Sequence, residues 1–501
     1  MVKVFESDRR NKSKMKIYKF PENYEKKSDL FKVSAGNNDI FVYGCDVSAY
    51  PFNRVWPGKQ RDKIQTEKAA FVMIGSDDAV TLNIEASFDF ISVKVRPLSK
   101  NIKAENDGNK VNVTFDKPGQ YSVEFDGMHK TLSVFVNPEK DFCVDTESEN
   151  VIYFGEGIHI FDERIMLEDN TTLFIDEGAV LYGSVNAVDK NNIKVVGYGI
   201  IDNSRMVRAN EINGCAVLAK DAPSNSGNPI FMERCENVVI EGVTIVDSSG
   251  WNIYLDGCRN ITVDNIKLIG QWRYNADGCD FCNCTNGIIR NSYLRNFDDC
   301  ITVKGFKRNN NLPVENILAE NCVLWCDWGK ALEVGAETCA PYMERITFRD
   351  CDIIHTNILM MDVQQGDGAR ISDVCFENIR LEYSGEEMIP QLQEDDSKEY
   401  TEIGKTHTPV PFAVTSGVTM WSIDDYTGDM KNVYFKDIKI FSDTDIIPTG
   451  AVIRADDSKS SMDSIFLENV TINGRKLGFD ELGIQIGEGV GKVYFESEKV
   501  N

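Results

Sequence analysis

Two short stretches of the chain nearly repeat each other and bring three carboxylates into one pattern. They read "NADGCD" at 275–280 and "NFDDCI" at 296–301, so that Asp277 aligns with Asp298 and Asp299 follows directly. Hydrolysis of a glycosidic bond needs one protonated carboxyl group for the leaving oxygen and ionised carboxylates to activate water. Crowded like charges separate their pKa values, which keeps one group protonated near neutrality. If the step between the stretches is one structural repeat, Asp277 stacks on Asp298 and the spacing predicts this chemistry.

The same aspartates also have a purely structural interpretation, because Asp side chains at chain corners hydrogen-bond to backbone amides. Three of them in two matched repeats favour the catalytic interpretation. Adjacent residues on a regular strand face opposite ways. Asp298 and Asp299 therefore reach one cleft only if the chain bends just before "CITV".

The elements that position these residues belong to a repeated unit, in which an alternating apolar strand is followed by an Asn, Asp or Gly corner and a second short strand. Alternation predicts strands, and the corner residues tolerate a positive φ. The unit recurs as "NVVIEGVTI" (237–245), "NITVDNIKL" (260–268), "NGIIRNSYL" (286–294), "NILAENCVL" (316–324), "RITFRDCDI" (345–353), "DVCFENIRL" (373–381), "NVYFKDIKI" (432–440) and "SIFLENVTI" (464–472). The similar steps between the first five of these starting positions, with no helical pattern, predict a right-handed parallel β-helix whose coils stack.

The part of the chain before about position 145 follows a different pattern. Alternating segments such as "KVNVTFDKPGQYSVEFDG" are interrupted by Gly, Pro and Asp turns, which predicts an antiparallel β-sandwich. We expect an all-β chain with a β-sandwich domain over 1–145, capping the N-terminal end of the solenoid, and a parallel β-helix domain over 146–501. The stretch 385–412 is too long for one coil and predicts a loop that overhangs the solenoid, with a disordered acidic segment as the alternative.

Composition limits the classes of partner and the compartment. The net charge of −25 argues against nucleic-acid and anionic-membrane partners. The N-terminus has no secretory signal pattern, so the 14 cysteines favour reduced thiols in a cytoplasmic protein, or a secreted one if a leader was removed. The spacing of Cys279, Cys282 and Cys284 lacks a second cysteine pair, and with Cys300 these residues are expected in the core rather than at a metal site. We expect no cofactor and leave the oligomeric state open.

The aspartate stretches resemble motifs of a known enzyme family. "NADGCD" and "NFDDCITVKG" are similar to the N-T-D and D-D-C-I-A-I-K-S-G motifs of the polygalacturonase-like glycoside hydrolases, family 28, and "MLEDNTTLFIDEGAVLYGS" is similar to the family's entry coils. The preceding "KPGQYSVEFDG" and "FGEGIHIF" resemble the dextranase and isopullulanase group, family 49, which shares the β-helix and the three aspartates. The resemblance implies inverting hydrolysis of α-glycosidic bonds, with Asp298 as general acid and Asp277 with Asp299 holding the attacking water.

Two departures from family 28 bear on the substrate. The family's G-H-G motif is replaced by "DWGKALEVGAE", which puts Lys330 in the place of the His. Its R-I-K motif, which binds a galacturonate carboxylate, is replaced by "NILMMDVQQGDGARISDV", which offers Asp362. Because Asp362 would repel a uronate, we expect a neutral sugar, or a uronate bound differently, within a pectin-type or α-glucan substrate. Lys330 and Lys304 are candidate cations for the substrate, with ion pairing as the alternative.

Aromatic side chains and one amide complete the predicted substrate contacts. The C–H faces of sugar rings stack on indole rings, which makes Trp251, Trp272, Trp325 and Trp328 candidate walls, with core packing as the alternative for each. Trp328 is the strongest of them, and Trp272 is predicted with it. Asn275, which opens the first aspartate motif, is a further predicted contact.

Two other classes of protein remain open. A polysaccharide lyase also uses a β-helix, but needs an Arg or Lys base and commonly calcium, so that the aspartates would be calcium ligands and a chelator test would discriminate. A non-catalytic carbohydrate-binding solenoid would keep the aromatic residues and have no need of the three aspartates. We predict an inverting glycoside hydrolase that acts on an oligo- or polysaccharide.

Overall fold

The computed structural model describes residues 15–19, 21–49, 63, 66–207, 227–308, 312–385, 408–444, 447–456 and 461–501. The N-terminal part forms two facing sheets, antiparallel except where Thr66–Gly75 and Thr131–Asn137 run parallel. The first sheet contains Lys16–Ile17, Tyr43–Ser48, Thr66–Gly75, Val93–Arg96, Gly119–Phe125 and Thr131–Asn137. The second contains Phe31–Ala35, Asn38–Ile40, Val80–Ala86, Ala104–Asp107 and Lys110–Phe115.

The two sheets close on an apolar core because their strands alternate. In Lys110–Phe115 the side chains of Val111, Val113 and Phe115 are buried and those between them are exposed. They belong to one cluster with residues of the facing sheet, such as Val123 and Val134. Period-two alternation is what a half-buried strand requires, and the predicted β-sandwich is confirmed.

The rest of the chain winds into a parallel β-helix with three faces. Face one is a single sheet of Val151–Phe154, Thr172–Ile175, Asn191–Val196, Glu236–Glu241, Arg259–Asp264, Thr285–Arg290, Val314–Glu320, Tyr342–Arg349, Arg370–Glu377, Met430–Lys436, Met462–Glu468, Val493–Phe495 and Glu498–Lys499. All of its pairings are parallel except that of the last strand, which folds back on Val493–Phe495. The predicted all-β fold class is thereby confirmed.

Faces two and three share the long strands Gly157–Met166 and Ala179–Val188 and then separate. Face two continues with Ile200–Asp202, Thr244–Val246, Lys267–Ile269, Tyr293–Asn296, Val323–Cys326, Asp352–Thr356, Arg380–Tyr383, Lys439–Ser442, Thr471–Ile472 and the hairpin strand Arg475–Lys476. Face three continues with Ile230–Glu233, Ile253–Asp256, Cys279–Cys282, Ile301–Gly305, Lys330–Thr338, Leu359–Gln365, Val410–Ser416, Val452–Ala455 and Gln485–Ile486. A 3-10 helix at Leu98–Lys100 and a short α-helix at Phe479–Leu482 lie outside the sheets.

The corners of the coils follow the sequence pattern. The predicted corner residues all have φ between 51° and 85°; they are Gly242, Asn265, Asn291, Asn321, Asp350, Asn378, Asp437 and Asn469. Asn and Asp tolerate this left-handed conformation better than other residues with a side chain. The chain therefore turns once per repeat at the predicted positions.

A row of side-chain amides, here called the asparagine ladder, joins successive coils beside face one. Each Nδ2 donates to the Oδ1 of the preceding coil at 2.8–3.2 Å; its members are Asn170, Asn192, Asn237, Asn260, Asn286 and Asn316. Arg345 Nε ends the row by donating to Asn316 Oδ1 at 2.7 Å. The last four sequence separations are 23, 26, 30 and 29 residues, which match the steps between the repeats found in the sequence.

The sandwich packs along the side of the β-helix, on face two, instead of only capping its end as predicted. Phe71 and Phe135 of the sandwich share a buried cluster with Tyr293, Trp325 and other outward side chains of face two. These outward positions are apolar over many coils, so the solenoid offers a long surface to cover. The sandwich strands end at Asn137 and the coils begin at Val151, while the division into 1–145 and 146–501 stays a prediction.

Buried charges also cross this contact. Arg96 donates from Nε to Glu124 Oε2 at 2.7 Å and from an Nη to Glu382 Oε2 at 2.5 Å, and His355 Nε2 lies 2.8 Å from Glu124 Oε1. Two of these four residues belong to the sandwich and two to the β-helix. Within the described residues, no helix has the length and apolar character needed to cross a membrane.

Candidate active site

A cavity of about 650 Å³ opens at the corner where the chain enters face three. This volume lies within the range of about 300–1,000 Å³ that is typical of small-molecule sites. Charged side chains line it from three successive coils and include Asp277, Asp298, Asp299, Lys304, Lys330 and Glu337. The three aspartates singled out in the sequence therefore meet in one cavity, with both lysines and with Asn275.

The register of the coils differs by one residue from the sequence alignment of the two aspartate stretches. Cys279 pairs with Ile301 rather than with Cys300, and the Gly278 amide donates to the Asp299 carbonyl at 2.7 Å. Asp277 is thus level with Asp299, and the expected stacking of Asp277 on Asp298 is wrong. The register is set by the alternating inward side chains of the strands, which a one-residue slip would turn outward.

The predicted bend at the paired aspartates is present. The strand Tyr293–Asn296 ends before Asp298 and Asp299, and the next strand begins at Ile301, so the pair lies in the corner between two faces. Both side chains line the cavity, with Asp298 half-buried and Asp299 5% exposed. Because Asp298 and Asp299 lie outside a regular strand, their side chains do not have to point to opposite faces, and both reach the same cavity.

A glycine on the next coil makes room for this pair. A Cβ atom on Gly329 would lie 2.2 Å from Asp299 Oδ1 and 2.6 Å from Asp298 Oδ1, which is closer than such atoms approach. The following amide, that of Lys330, donates to Asp299 Oδ1 at 2.8 Å. The carboxylate pair is therefore packed directly against the backbone of the neighbouring coil.

Lys304 lies among four carboxyl groups. Its Nζ is 3.3 Å from Asp277 Oδ2, 3.7 Å from both Asp280 Oδ1 and Glu337 Oε2, and 3.9 Å from Asp299 Oδ2. The ammonium group also lies 4.4 Å from the ring centroid of Trp251, and the whole residue is 4% exposed. Of the two alternatives for Lys304, the geometry favours ion pairing.

Lys330, in the place of the family's His, also holds carboxylates. Its Nζ is 2.9 Å from Glu333 Oε1 and 3.8 Å from Asp299 Oδ1. Glu333 pairs in register with Asp362, and both are buried under the cavity. Asp362 does not line the cavity, so its predicted contact with substrate is not supported; its position on the outward row of face three is covered by neighbouring side chains instead.

The three aspartates differ in acidity. Burial raises the pKa of Asp298 to about 6, with Asp299 adding to the rise and Lys330 and Lys304 opposing it. Burial also raises the pKa of Asp277 well above its ordinary value, although Lys304 opposes the shift. For Asp299, burial acts to raise the pKa, but the two ammonium groups, with hydrogen bonds from Glu333 and the Lys330 amide, outweigh it and hold the pKa below its ordinary value. A protonated carboxyl group thus stands beside an ionised one at weakly acidic pH.

Further carboxyl groups under the cavity favour their neutral forms. Burial raises the pKa of Glu333 well above its ordinary value, and it raises those of Asp280 and Asp362 to about 7, with Lys304 and Lys330 respectively opposing. Thr302 Oγ1 donates to Asp280 Oδ1 at 2.6 Å. Because these groups favour their neutral forms, the total negative charge of the carboxyl groups around the cavity is reduced.

Aromatic side chains form part of the cavity wall. Trp328 stacks on Phe297 with centroids 6.1 Å apart and planes within 9°, and both line the cavity together with Trp251. Trp272 and Trp325 are buried and do not line it. The predicted contact of Trp272 with substrate is therefore not supported, because its ring is packed into the corner before the first aspartate stretch.

Several residues of the cavity were not predicted from the sequence. Glu337 and Arg308 line it, as do three residues of a later segment, Met420, Trp421 and Ile423. Glu337 could have been considered from the sequence, since it ends the "DWGKALEVGAE" stretch that contains Lys330. The predicted overhanging loop at 385–412 lies mostly outside the described residues, so the wall is assigned to the later segment alone.

The cysteines and the possible metal ligands do not line the cavity. Cys279, Cys284 and Cys300 pack in the core of the β-helix, Cys282 is buried behind the cavity, and all thirteen cysteines within the described residues are free. One group within the described ranges has metal-ligating geometry and consists of Cys339, Asp367 and Asp424. Its carboxylates already accept the Thr338 and Ile423 amides and the Lys307 ammonium group.

The chain belongs to the glycosyl hydrolases family 28, because the sequence profile of that family matches residues 157–472. It is 24% identical over 206 residues to Probable endopolygalacturonase D of Neosartorya fischeri, covering 40% of this chain and 38% of that protein. It is 22% identical over 247 residues to Probable rhamnogalacturonase E of Aspergillus flavus, covering 48% and 52%. The chain thus spans about half or less of the length of these relatives. The family predicted from the sequence is confirmed.

The fold is also that of a solved structure that includes the N-terminal unit. Dex49A from Penicillium minioluteum covers 93% of this chain and 92% of its own length with a TM-score of 0.55, at 14% sequence identity. The predicted resemblance to family 28 is confirmed, and that to the dextranase group is confirmed in the fold.

Proposed function

We propose that this protein hydrolyses α-glycosidic bonds of a pectin-type or related saccharide with inversion of the anomeric centre. The observation that carries the proposal is the opposite shift of two neighbouring carboxyl groups in one cavity: the pKa of Asp298 rises to about 6, while that of Asp299 is lowered. Pairs of titratable groups whose surroundings separate their pKa values are typical of acid–base catalysis.

The shifts of Asp298 and Asp299 agree with the roles that the family resemblance implies for the three aspartates. Asp298 is half-buried and protonated below about pH 6, so it donates the proton to the leaving oxygen. Asp299 is ionised and accepts a proton from the attacking water. Asp277, level with Asp299 on the neighbouring coil, holds that water. Inversion needs space for the water, and acid and base carboxyl groups about 6.5–9.5 Å apart provide it. The Oδ1 atoms of Asp298 and Asp299 both lie within 2.6 Å of one point beside Gly329, so they are at most about 5 Å apart, and inverting hydrolysis requires the pair to separate when substrate binds.

The charges of the cavity support an uncharged sugar at the cleavage position. Both lysines of the floor are engaged with carboxyl groups within 4 Å, so neither is a ready partner for a uronate. Arg308 lines the cavity with its Nε 2.7 Å from Asp256 Oδ2. The relatives' names, endopolygalacturonase and rhamnogalacturonase, support a pectic polymer as the source of the substrate.

A panel of substrates tests the proposal. Pectic oligosaccharides, α-glucans and aryl α-glycosides are incubated with the protein, products are identified by mass spectrometry, and proton NMR follows the first anomer released. We expect cleavage of at least one α-linked substrate with release of the opposite anomer. Retention of configuration, or no cleavage of any substrate by folded protein, would remove the proposal.

The lyase alternative has less support from the site. A lyase base must be neutral, but nearby carboxylates outweigh burial and raise the pKa values of Lys304 and Lys330 well above their ordinary value. Loss of activity on adding a chelator, with ultraviolet absorption of an unsaturated product, would favour it. The cytoplasmic location stays a prediction that cell fractionation tests.

A further inference from the structure

An apolar segment that no catalytic step uses lies against the cavity. Residues 417–429, here called the 417–429 segment, expose Val418, Met420, Trp421, Ile423 and Tyr426 by 38–84% of their surface. Three of these, Met420, Trp421 and Ile423, line the cavity together with Ile358, which is 36% exposed. Contiguous exposed apolar patches are rare on soluble proteins and mark binding surfaces.

The segment is held in place by hydrogen bonds to the preceding coil. Asp367 Oδ1 accepts the amides of Ile423 at 2.6 Å and Asp424 at 2.8 Å, and Ser422 Oγ donates to the Gly366 carbonyl at 2.6 Å. Asp424 Oδ1 lies 2.6 Å from Lys307 Nζ. The apolar side chains are therefore presented by an anchored backbone, which lowers the entropic cost of binding.

The position of this wall identifies the part of a substrate that it faces. Gly329 is one coil beyond the aspartate pair, and the pairing of Lys330 with Leu359 places Ile358 level with Gly329 on the following coil. Ile358 is therefore two coils beyond the pair, and the 417–429 segment follows the next strand of face three. Coils are about 4.8 Å apart, so the wall begins about 10 Å from the aspartate pair. It thus faces a part of the substrate close to the reacting carbon, but not the reacting carbon itself.

We propose that the 417–429 segment and Ile358 form a subsite for an uncharged sugar unit near the scissile bond, bound through an apolar face rich in C–H and methyl groups. The indole of Trp421 offers a stacking surface, and Met420 and Ile423 offer aliphatic contacts. A carboxylate on that face would lose water without gaining a cation, because the ammonium group bound to the segment, that of Lys307, is paired with Asp424. A 6-deoxyhexose and a methyl-esterified uronate share the required chemistry.

The first test measures kinetics, and it rests on the proposed function. Trp421→Ala and Met420→Ser are compared with the wild type on the best oligosaccharide from the substrate panel, with Ile91→Ser as control, since Ile91 is 92% exposed on the sandwich. We expect KM to rise about 5- to 30-fold, the effect of a lost contact of this kind, with kcat within about twofold. Met420 is 84% exposed, so its replacement does not threaten folding. Unchanged KM in both variants would overturn the proposal.

The second test measures binding without turnover and stands apart from the proposed function. Saturation-transfer NMR is recorded with methyl α-D-fucoside, methyl α-D-galactoside, methyl α-D-galacturonide and the methyl ester of the galacturonide. We expect the strongest transfer to the 6-methyl or ester methyl protons and the weakest to the free acid, with the stronger of the two methyl signals identifying the source. This order should disappear in Trp421→Ala.

The outcomes of the two tests separate the two proposals. If no substrate is cleaved but the binding order is found and is lost in the variant, the subsite stands and the proposed hydrolysis fails. If cleavage occurs but the free acid binds best, or the order is the same in Trp421→Ala, the subsite fails and the proposed hydrolysis stands.

Discussion

Replacement of Lys304 by methionine should move the pH dependence of catalysis. The Lys304 ammonium group lies 3.9 Å from Asp299 Oδ2 and lowers the pKa values of both Asp299 and Asp298. At an effective dielectric constant of about 20, opposite charges at this separation attract by about 4 kcal/mol, or about 3 pKa units. Opposite charges at such distances shift carboxyl pKa values by about 1–3 units. Without Lys304 we expect the pKa of Asp299 to rise by about this amount.

The sign of the effect on activity follows from the roles of the two groups. The acidic limb of kcat/KM reports the base, Asp299, and should move to higher pH by about 1–3 units. The alkaline limb reports the acid, Asp298, and should move the same way by less, because Lys304 Nζ forms an ion pair with Asp299 but lies more than 4 Å from the Asp298 carboxyl group. The whole profile thus shifts towards alkaline pH, and the loss of activity is largest at acidic pH.

A matched control is available on the same β-helix. Lys267 is fully buried on face two, with its Nζ donating to the Gly242 carbonyl at 3.0 Å, and lies outside the cavity lining. Lys267→Met should leave the profile in place. Because removal of one partner from a buried ion cluster costs about 3–5 kcal/mol, circular dichroism must show folded protein, and Lys304→Gln serves as a second variant. A uniform loss of activity at all pH values, without a shift, would refute the reasoning.

The remaining predictions concern the carboxyl groups and their surroundings. Asp298→Asn should lower kcat by about 10²–10⁴-fold, less with an aryl glycoside that has a good leaving group, and near-normal turnover would contradict its role as acid. In the wild type, activity should fall as pH rises through about 6, where Asp298 loses its proton, and a stopped assay from pH 4 to 8 checks this. Gly329→Ala should lower kcat by about 10²-fold by displacing the aspartate pair, whereas Gly478→Ala, where an added Cβ meets no atom closer than 3.5 Å, should not; equal effects would contradict the packing argument. The folded-state pKa of Asp362 is raised from 3.8 to about 7, so the folded chain binds more protons between about pH 4 and 7, and stability falls as pH rises through that window. Asp362→Asn should therefore raise the melting temperature more at pH 8 than at pH 5, and an equal change at both would contradict it.

The architecture of the coils could be predicted from local patterns in the sequence. Corner residues such as Asn265 and Asp350 adopt the left-handed conformation that their types permit, and the repeat steps reappear as the separations within the asparagine ladder. These features depend on single residues and on period-two alternation, both of which can be read without knowledge of distant contacts.

The register and the docking of the sandwich could not be read in the same way. Letters shared by the aspartate stretches suggested that Asp277 stacks on Asp298, but the pairing of Cys279 with Ile301 shows that inward packing decides the register. The sandwich was expected at the end of the solenoid. It covers the side because outward residues such as Tyr293 and Trp325 are apolar, and only the three-dimensional winding shows that they form one surface.

The composition of the cavity was predictable only in part. Asp277, Asp298 and Asp299 were found because their motifs are short and local. Asp362 was assigned to the substrate from its motif position, but neighbouring coils cover it. The apolar wall at Trp421 comes from a segment far later in the chain, and no pattern in the sequence links it to the aspartates.

The asparagine ladder has a consequence for how such a chain can change in length. Its side chains meet at 2.8–3.2 Å although the sequence separation between neighbours varies from 22 to 45 residues. Extra residues are therefore accommodated between the ladder positions, outside the strands, while each amide still finds its neighbour. An insertion within a face would instead turn every following side chain of that strand to the wrong side. Natural variants should therefore gain or lose residues between strands, as between Asp202 and Ile230, or by whole coils, with the aspartate coils unchanged.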